Sequence, residues 1–169
     1  MYNFKKIGKN VKIYDYSKIV KPEVIDIEDG VRIDDFTFIY GGEGIHIGRY
    51  VHIASFVSVI GGGQLYVGDY AAIAAGARIV TGTNTYEGGY HMSAAAPREQ
   101  QNVKVSFVKI GRDGFIGTNA VIHPGVTIGE GAIIGSNSLV TKDIDPWTIN
   151  VGSPTKVIGK RPKVELPDI

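Results

Sequence analysis

The sequence of 169 residues predicts an all-β protein built as a parallel β-solenoid, and two regularities carry that prediction. From Ile110 to Val140 every sixth residue is aliphatic, and glycine often follows it, as at Gly111 and Gly117. A period of six is a multiple of the strand period of two and fits the helical period of 3.6 poorly. Hexapeptide repeats of this kind are typical of β-helices, in which three short strands make one coil.

The second regularity is a longer period of 20 residues in the N-terminal half. The residues that open successive coils are Ile7, Ile27, Ile47 and Val67. Each coil is three hexads plus two extra residues, and the extra residues fall at the same place each time. We therefore expect the insertions to align along one edge of the column. An apolar residue recurs within them, and we expect Ile25, Ile45 and Leu65 to form a stacked file that covers this edge.

A long insertion interrupts the repeat, which stops after Ile79 and resumes at Ile110. Loops of this length are usually functional or disordered. Because its start, TGTNTYEGGYH, is rich in polar and aromatic side chains, we expect a functional loop. The chain then divides into a β-helix over residues 1–145, with a loop insertion at 81–108, and a C-terminal turn and tail over 146–169. In the tail we expect little regular structure beyond one short helical turn.

Composition excludes several classes of function. The absence of cysteine rules out disulfides, thiolate metal sites and a thiol nucleophile. The net charge of +1 is far from the basic excess that is typical of proteins that bind nucleic acid. The start, MYNFKKIGKN, lacks the apolar segment of a signal peptide, and no apolar run approaches the ~20 residues of a membrane span. We expect a cytoplasmic protein with neither nucleic acid nor membrane as a partner.

Aromatic residues recur at outward positions of the repeat. We expect them on the flat outer faces of the column, where some would form an oligomer interface that shields exposed sheet surface. These residues are Tyr14, Tyr16, Phe36, Phe38, Tyr50, Phe56 and Tyr70.

The whole pattern resembles a known family. The hexads, the single long loop and the ending HPGVTIGEGAIIGSNSLVTKDI…GSPTKVIGKR resemble the left-handed β-helix acyltransferases, and in particular the CoA-dependent sugar acetyltransferases of galactoside and maltose type. The blocks VRIDDF, YVHIASF and TNTYEGG are similar to the small N-acyltransferases that act on dTDP-4-amino-4,6-dideoxyglucose in surface-polysaccharide (lipopolysaccharide) biosynthesis. This resemblance implies a left-handed coil and a homotrimer with active sites between subunits.

The resemblance also implies a channel for acetyl-CoA, or another acyl-CoA, along the C-terminal coils. Small residues there would let the pantetheine arm lie against the backbone, and phosphates need cationic donors within reach. The residues expected to line the channel are Phe115, Gly117, Thr118, Gly135 and Ser136. Those expected to meet the adenine and the phosphates are Thr141, Lys142, Lys156, Lys160 and Arg161.

The catalytic base of the galactoside-type enzymes is missing from its usual place. Where they carry a histidine, just after the loop begins, this chain has Thr83 or Asn84. A sugar hydroxyl needs a base in the transition state, whereas a free amine needs chiefly positioning and an oxyanion donor. The missing base therefore favours an amine as acceptor, and the resemblance implies that this amine belongs to a nucleotide-linked amino sugar, so we expect an N-acyltransferase.

Six residues are candidates for handling the acceptor. We assign catalytic roles to His91, Asn84 and Glu87, and substrate binding to Asp35, His52 and Tyr86. Three alternatives stay open: a sugar O-acetyltransferase with His91 as base, a non-catalytic solenoid subunit, and a zinc enzyme resembling the γ-carbonic anhydrases. The last needs three converging histidines, and the four in this sequence do not repeat the necessary spacing, so we expect no metal.

Overall fold

A computed structural model describes residues 2–165 of the chain. Three parallel sheets wrap around one apolar interior, and each turn of the chain adds one strand to every sheet. The strands are numbered along the chain and the sheets are called A, B and C in the order in which the chain visits them. The predicted all-β solenoid of hexapeptide repeats is confirmed.

Sheet A contains β1 (Lys6–Ile7), β4 (Ile25–Ile27), β7 (Gly44–Ile47), β10 (Gln64–Val67), β15 (Phe107–Ile110) and β18 (Val126–Ile128). Sheet B contains β2 (Lys12–Ile13), β5 (Arg32–Ile33), β8 (His52–Ile53), β11 (Ala72–Ile73), β16 (Phe115–Ile116), β19 (Ile133–Ile134), β21 (Thr148–Val151) and β22 (Lys156–Lys160). Sheet C contains β3 (Lys18–Val20), β6 (Phe38–Tyr40), β9 (Ser58–Ile60), β12 (Arg78–Val80), β17 (Val121–Ile122) and β20 (Leu139–Val140). A hairpin of β13 (Gly82–Asn84) and β14 (Val103–Val105) and two short 3₁₀ turns (Pro22–Val24, Arg98–Gln100) complete the structure.

The hexad residues form the core, as expected, from the end of the first coil onward. From Ile19 to Val140 each of them is at most 4% exposed. The expectation is wrong at the start of the chain: Ile7 is 55% exposed and Ile13 is half-buried. The first coil has a neighbour on one side only, so its inward side chains close the end of the column without being covered themselves.

The file of Ile25, Ile45 and Leu65 is buried and in register, which confirms the stacking. Its place differs from the expectation, because these residues lie in the strands of sheet A. The same file continues through Val108 and Val126, in coils that have no extra residues. The file therefore belongs to the interior of sheet A and does not cover the edge.

Most of the outward aromatic residues lie at corners and not on flat faces, contrary to expectation. We call the turns between sheets A and B the A–B corner, and name the B–C and C–A corners likewise. Tyr16, Phe36 and Phe56 stack along the B–C corner, with ring centroids 5.6 and 5.2 Å apart. Tyr50 and Tyr70 stack along the A–B corner at 5.3 Å. Of the seven expected residues only Phe38 lies in a strand. The corners need left-handed backbone, and Phe36 and Phe56 supply it at φ 61° and 63°.

The long insertion rises from the C–A corner as the antiparallel hairpin of β13 and β14. Its base is fixed to the column, since the Thr81 hydroxyl donates to the Ile60 carbonyl at 2.9 Å and accepts from the Gly63 amide at 2.9 Å. The Ser106 amide donates to the Thr81 carbonyl at 2.7 Å. A Cβ at Gly63 would overlap the Ser106 carbonyl, so only glycine allows the hairpin to seat there.

The C-terminal segment is more regular than expected. After β21 the chain turns at Gly152 and returns as β22, which pairs antiparallel with β21 at the end of sheet B. Residues 158–160, expected to begin an irregular tail, therefore belong to a strand; the expectation for 166–169 lies outside the described residues. No helical segment within residues 2–165 has the length and hydropathy to cross a bilayer.

Candidate active site

Four of the expected cofactor residues meet at the B–C corner. Strands β16 and β19 pair Phe115 with Ile133, so the turns that follow them place Gly117 beside Gly135 and Thr118 beside Ser136. The side chains of Thr118 and Ser136 are exposed. The corner thus offers two hydroxyl groups on adjacent coils, a spacing of about 4.8 Å.

The glycine at position 117 is required by the stacking of the coils. A Cβ there would lie 2.6 Å from the Ile134 carbonyl oxygen and 2.6 Å from the Ser136 amide nitrogen. Its own amide donates to the Ile134 carbonyl at 2.8 Å. Because Gly117 is buried, its contribution to any ligand site is a smooth backbone surface and not a free donor.

Small residues continue this corner toward the N-terminus. Ala54, Ala74, Gly117 and Gly135 follow the paired strands β8, β11, β16 and β19, and successive backbone amides bond the next coil. Asp34 takes the equivalent place one coil earlier. Because these residues have small side chains or none, they form a low strip along the B–C corner between the Asp34 carboxylate and the hydroxyls of Thr118 and Ser136, here called the B–C groove.

The residues expected to bind the cofactor's adenine and phosphates are dispersed. Lys156 pairs with Val151 near the B–C corner, whereas Lys160 pairs with Thr148 at the other edge of sheet B. Arg161 also lies at that edge, the A–B corner, and donates to the carbonyls of Asp113 (2.6 Å) and Gly131 (3.2 Å). Its guanidinium stacks 5.6 Å from the Trp147 ring.

Thr141 and Lys142 are exposed and follow β20, at the C–A corner. One chain therefore brings only Lys156 to the corner that carries Thr118 and Ser136. The phosphate-binding roles of all five residues stay predictions.

The expected acceptor-handling residues of the loop lie together on the hairpin. Asn84 ends β13, and its side-chain nitrogen donates to the Met92 carbonyl at 3.1 Å. The Glu87 carboxylate bonds the Lys104 ammonium across the hairpin. The His91 backbone amide donates to the Gln100 carbonyl at 3.0 Å, and its imidazole is exposed. Tyr86, at the tip, is 75% exposed.

A groove runs beneath the hairpin at the C–A corner. Its wider part encloses about 850 Å³ between the glycine turns of the column and the 3₁₀ turn of the hairpin, and carries Lys21 and Arg98. A smaller part of about 360 Å³ is lined by Asn84. The side-chain oxygen of Asn84 is buried there without a hydrogen-bond partner among residues 2–165. A buried acceptor without a partner lowers the stability of the fold. We therefore take Asn84 as a candidate for binding a ligand and not only for packing.

The other two expected substrate residues lie near the B–C corner. The Asp35 carboxylate accepts from the Tyr16 amide at 3.0 Å. His52 points outward from β8, and its Nε2 lies 2.8 Å from Oδ2 of Asp34. Arg32 donates to the same carboxylate from Nε (2.8 Å) and Nη2 (3.3 Å). Partial burial works against the charge of Asp34, but the bonds from Arg32 and His52 outweigh it and lower the pKa of Asp34.

Asp34 is the residue that sequence reasoning missed. Aspartate is common in turns, so Asp34 alone carries no signal. The 20-residue period did contain a signal for Asp34. It puts Arg32 and His52 at equivalent positions of adjacent coils, with Asp34 two residues beyond Arg32. Within the described residues no three His, Cys, Asp or Glu side chains are grouped as a metal site requires.

The site in one chain thus has two parts at different corners. The groove with Thr118, Ser136 and Asp34 follows the B–C corner, and the hairpin with Asn84, Glu87 and His91 leaves from the C–A corner. This division leaves each part open on one side.

Comparison with known proteins identifies the class. The bacterial transferase hexapeptide family (six repeats) matches residues 107–142. Chloramphenicol acetyltransferases from Agrobacterium fabrum and Morganella morganii are 54% and 60% identical over 52 residues, or 31% of this chain and 25% of each relative. The matched segment therefore spans only a quarter of the length of these relatives.

Solved structures match over nearly the whole chain. AntD, an N-acyltransferase from Bacillus cereus solved in complex with dTDP and 3-hydroxybutyryl-CoA, is 34% identical at a TM-score of 0.86, covering 94% of this chain and 84% of AntD. A single-residue mutant of AntD in complex with dTDP-4-amino-4,6-dideoxyglucose and coenzyme A is 35% identical at a TM-score of 0.89, covering 95% and 85%. A hexapeptide-repeat acetyltransferase from Vibrio cholerae, 21% identical at a TM-score of 0.62 over 95% of this chain and 76% of its own, shares the fold.

The fold and these matches define the class: the chain belongs to the hexapeptide-repeat acyltransferase family, which confirms the resemblance inferred from the sequence. Within the family, its similarity to AntD extends over both chains, whereas its similarity to the chloramphenicol acetyltransferases is confined to 52 residues.

Proposed function

We propose that this protein transfers an acyl group from acetyl-CoA, or another acyl-CoA, to the amine of a nucleotide-linked amino sugar. The observation that carries the proposal is the similarity to AntD, at 35% identity over 95% of this chain. AntD has been solved with coenzyme A and with a dTDP-amino sugar. We place the reaction in the cytoplasm and in surface-polysaccharide biosynthesis, because nucleotide-linked sugars are the activated donors of such pathways.

The groove at the B–C corner supports the proposed binding of the acyl-CoA. A pantetheine arm is long, thin and weakly polar, and the file of small residues from Ala54 to Gly135 offers a surface of matching shape. Thr118 and Ser136 would bond its amides, and Lys156 lies nearby for a phosphate.

The reaction proposed is direct aminolysis of a thioester. The acceptor amine attacks the carbonyl carbon, backbone amides stabilise the tetrahedral oxyanion, and the C–S bond breaks to release the CoA thiolate. The chief task of the protein is to hold the two substrates in contact. Asn84 and Glu87 would orient the amine or a neighbouring hydroxyl, with Tyr86 against the sugar.

The proposed active form is a homotrimer in which the hairpin of one subunit covers the B–C groove of the next. Two observations support this arrangement. The two parts of the site lie at different corners of one chain, and the outer face of sheet C is apolar. The outward residues of that face are Val20, Phe38, Tyr40, Ile60, Val80, Val121 and Leu139, interrupted by Lys18, Ser58 and Arg78.

The decisive experiment pairs acyl-CoA donors with dTDP-, UDP- and GDP-linked amino sugars and measures the release of free thiol. We expect turnover with an amino sugar and none with the parent sugar that carries a hydroxyl in place of the amine. Resistance of the product to hydroxylamine, which cleaves esters, would confirm an amide. Thiol release with sugar hydroxyls only, or with no sugar at all, would contradict the proposal.

A sugar O-acetyltransferase is the second candidate, and one observation favours it. The imidazole of His91 is exposed on the hairpin, whose backbone is fixed at that residue by Gln100 and Gln101. A histidine so placed would deprotonate a sugar hydroxyl if it reached the groove of a neighbouring subunit.

A further inference from the structure

A notch on the outer face of sheet B lies next to the small-residue groove. The strand register places His52, Ala72 and Phe115 at equivalent positions of three successive coils. Coils are about 4.8 Å apart, so the rings of His52 and Phe115 arise about 10 Å from each other with only the methyl group of Ala72 between them. His52 and Phe115 are each about two-fifths exposed. The notch therefore has two ring walls and an apolar floor.

The orientation of His52 is fixed by a charged partner. Its Nε2 lies 2.8 Å from Oδ2 of Asp34, whose carboxylate also accepts two bonds from Arg32. An ionised carboxylate is only an acceptor, so Nε2 carries the hydrogen and donates it. In the neutral imidazole the other ring nitrogen, Nδ1, is then the acceptor.

Along the outward file of sheet B, the charged groups lie on one side of His52. Arg32 precedes it in that file, Lys12 precedes Arg32, and Asp34 and Tyr14 lie at the adjoining B–C corner positions. On the other side within the file, the neighbours are Ala72 and Phe115. The charged side chains of Arg49, Asp69 and Arg112 lie at the A–B corner of the same coils. Of the three residues that form the notch, His52 is the one with a nitrogen that can accept a proton.

The notch also adjoins the groove that we propose for the acyl-CoA. Ala54 and Ala74, at the B–C corner, follow the strands that carry His52 and Ala72, and Gly117 follows the strand that carries Phe115. A thioester brought along the corner as far as Ala74 would lie level with the floor of the notch. An acceptor amine at that carbon would then have Nδ1 of His52 about one coil away.

We propose that His52, positioned by Asp34, accepts the proton that the acceptor amine loses during acyl transfer. This inference rests on the proposed function. When the amine nitrogen bonds the thioester carbon, it becomes positively charged, and it must lose one proton before the C–S bond breaks to leave a neutral amide. That proton moves to Nδ1 of His52, the thiolate leaves, and the imidazolium returns the proton to the thiolate or to water. Asp34 is a positioning residue that stabilises the imidazolium.

The test measures kcat and KM across pH for the wild type, His52→Gln and Asp34→Asn with the amino sugar found in the thiol-release screen. Glutamine retains a hydrogen bond to Asp34 but accepts no proton. We expect His52→Gln to lower kcat by ~10² with little change in KM, and to remove the acid limb of the kcat profile that the histidine produces. Asp34→Asn should also lower kcat with little change in KM, because the imidazolium loses its counter-charge.

The matched control is His46→Gln. His46 also points outward from a central strand, but on sheet A, where it stacks 5.0 Å from Tyr66. It should leave kcat and the pH profile unchanged, and all three variants should melt within a few degrees of the wild type. A rise in KM alone for His52→Gln would make His52 a binding residue and overturn the inference, as would an unchanged profile.

Failure of the inference is distinguishable from failure of the proposed function. A wild type that acylates an amino sugar while His52→Gln matches it refutes only the role of His52. A wild type inactive toward every amino sugar refutes both.

Discussion

At the scale of single residues, the corner glycines are required by the packing of the backbone of the next coil, whether or not a ligand binds. Gly117 illustrates this, because its missing side chain leaves room for the Ile134 carbonyl and the Ser136 amide. The smoothness of the proposed cofactor groove is in this sense a by-product of coil stacking. A chain selected only to stack its coils would already present a surface that a thin ligand fits.

A matched pair of glycine substitutions tests this. We expect Gly117→Ala to lower the free energy of unfolding by about 1–3 kcal/mol, because the methyl group would force two coils apart. Gly159→Ala is the control, since a Cβ at Gly159 would meet only the Ile149 side chain at 3.7 Å. Urea or thermal unfolding at one fixed protein concentration measures both. Equal stability of the two variants would refute the requirement for glycine at position 117.

Asp34 and His52 show a different residue-scale rule. Adjacent coils lie about 4.8 Å apart, close enough for a donor and an acceptor at equivalent or neighbouring positions of the two coils to meet. The same geometry pairs Arg49 with Asp69, whose carboxylate accepts from Nη2 at 2.7 Å. A repeat protein can therefore join residues 18 or 20 positions apart in sequence without any loop closing between them.

At the scale of elements, the hairpin is the one large departure from the repeat. It carries Asn84, Tyr86, Glu87 and His91 away from the column, and only its base is bonded to the coils. Exposed segments of this kind commonly hold functional residues. Whether the hairpin supplies a base decides between the two candidate functions.

The substitution His91→Ala tests whether the hairpin supplies a base. With a nucleotide-linked amino sugar as acceptor we expect little change in kcat, because an amine attacks a thioester without prior deprotonation by the hairpin. Met92→Ala, at the neighbouring exposed position, controls for disturbance of the loop. A fall of ~10² or more for His91→Ala alone, in a steady-state thiol-release assay, would make His91 a base and contradict this expectation; the same fall with a sugar hydroxyl as acceptor would favour the O-acetyltransferase.

The elements that could be predicted from the sequence are those that belong to a repeat of fixed length. The hexads located the inward residue of every strand of sheets A, B and C from β3 to β20, and the 20-residue period located the corners. Neither period contains the hairpin, where the pairing of Gly82 with Val105 joins segments that share no pattern. The return of β22 onto β21 was missed for the same reason, and with it the separation of Lys156 from Lys160.

The candidate site was predictable only in part. Thr118 and Ser136 come together because they occupy one phase of the repeat, which the sequence shows. The chain brings Arg161 to the opposite edge of sheet B, because its guanidinium caps the carbonyls of Asp113 and Gly131 and covers Trp147. Those contacts depend on where the tail turns, which no periodicity specifies.

At the scale of the whole molecule, the three faces of the column differ in chemistry. Sheet A carries charged and polar residues outward, including Asp26, His46 and Lys109, whereas the outer face of sheet C is largely apolar. An apolar face of this extent favours burial against another protein surface. The proposed trimer would bury it against a second copy.

The mass in solution tests the proposed trimer and its interface. We expect the wild type at three times the chain mass by light scattering, and Phe38→Asp at a lower mass, because an unpaired charge in a buried interface is strongly destabilising. Tyr66→Asp makes the same kind of change on sheet A, where the ring is 44% exposed, and should remain trimeric. Dissociation by Tyr66→Asp but not by Phe38→Asp would assign the contact to the other face.

The spacing between paired strands has a consequence for how the chain is made. Except for the coil that follows the hairpin, each coil docks on the preceding one through residues at most 20 positions apart in the chain, as Lys6 pairs with Asp26 and Phe115 with Ile133, and repeat proteins of this kind fold by propagation from neighbour to neighbour. A nascent chain can thus add one finished layer for each 18 or 20 residues that leave the ribosome, in the order of synthesis. The only enforced pause falls after Val80, where the growing end must wait for the whole hairpin before Phe107 reaches its place beside Gln64.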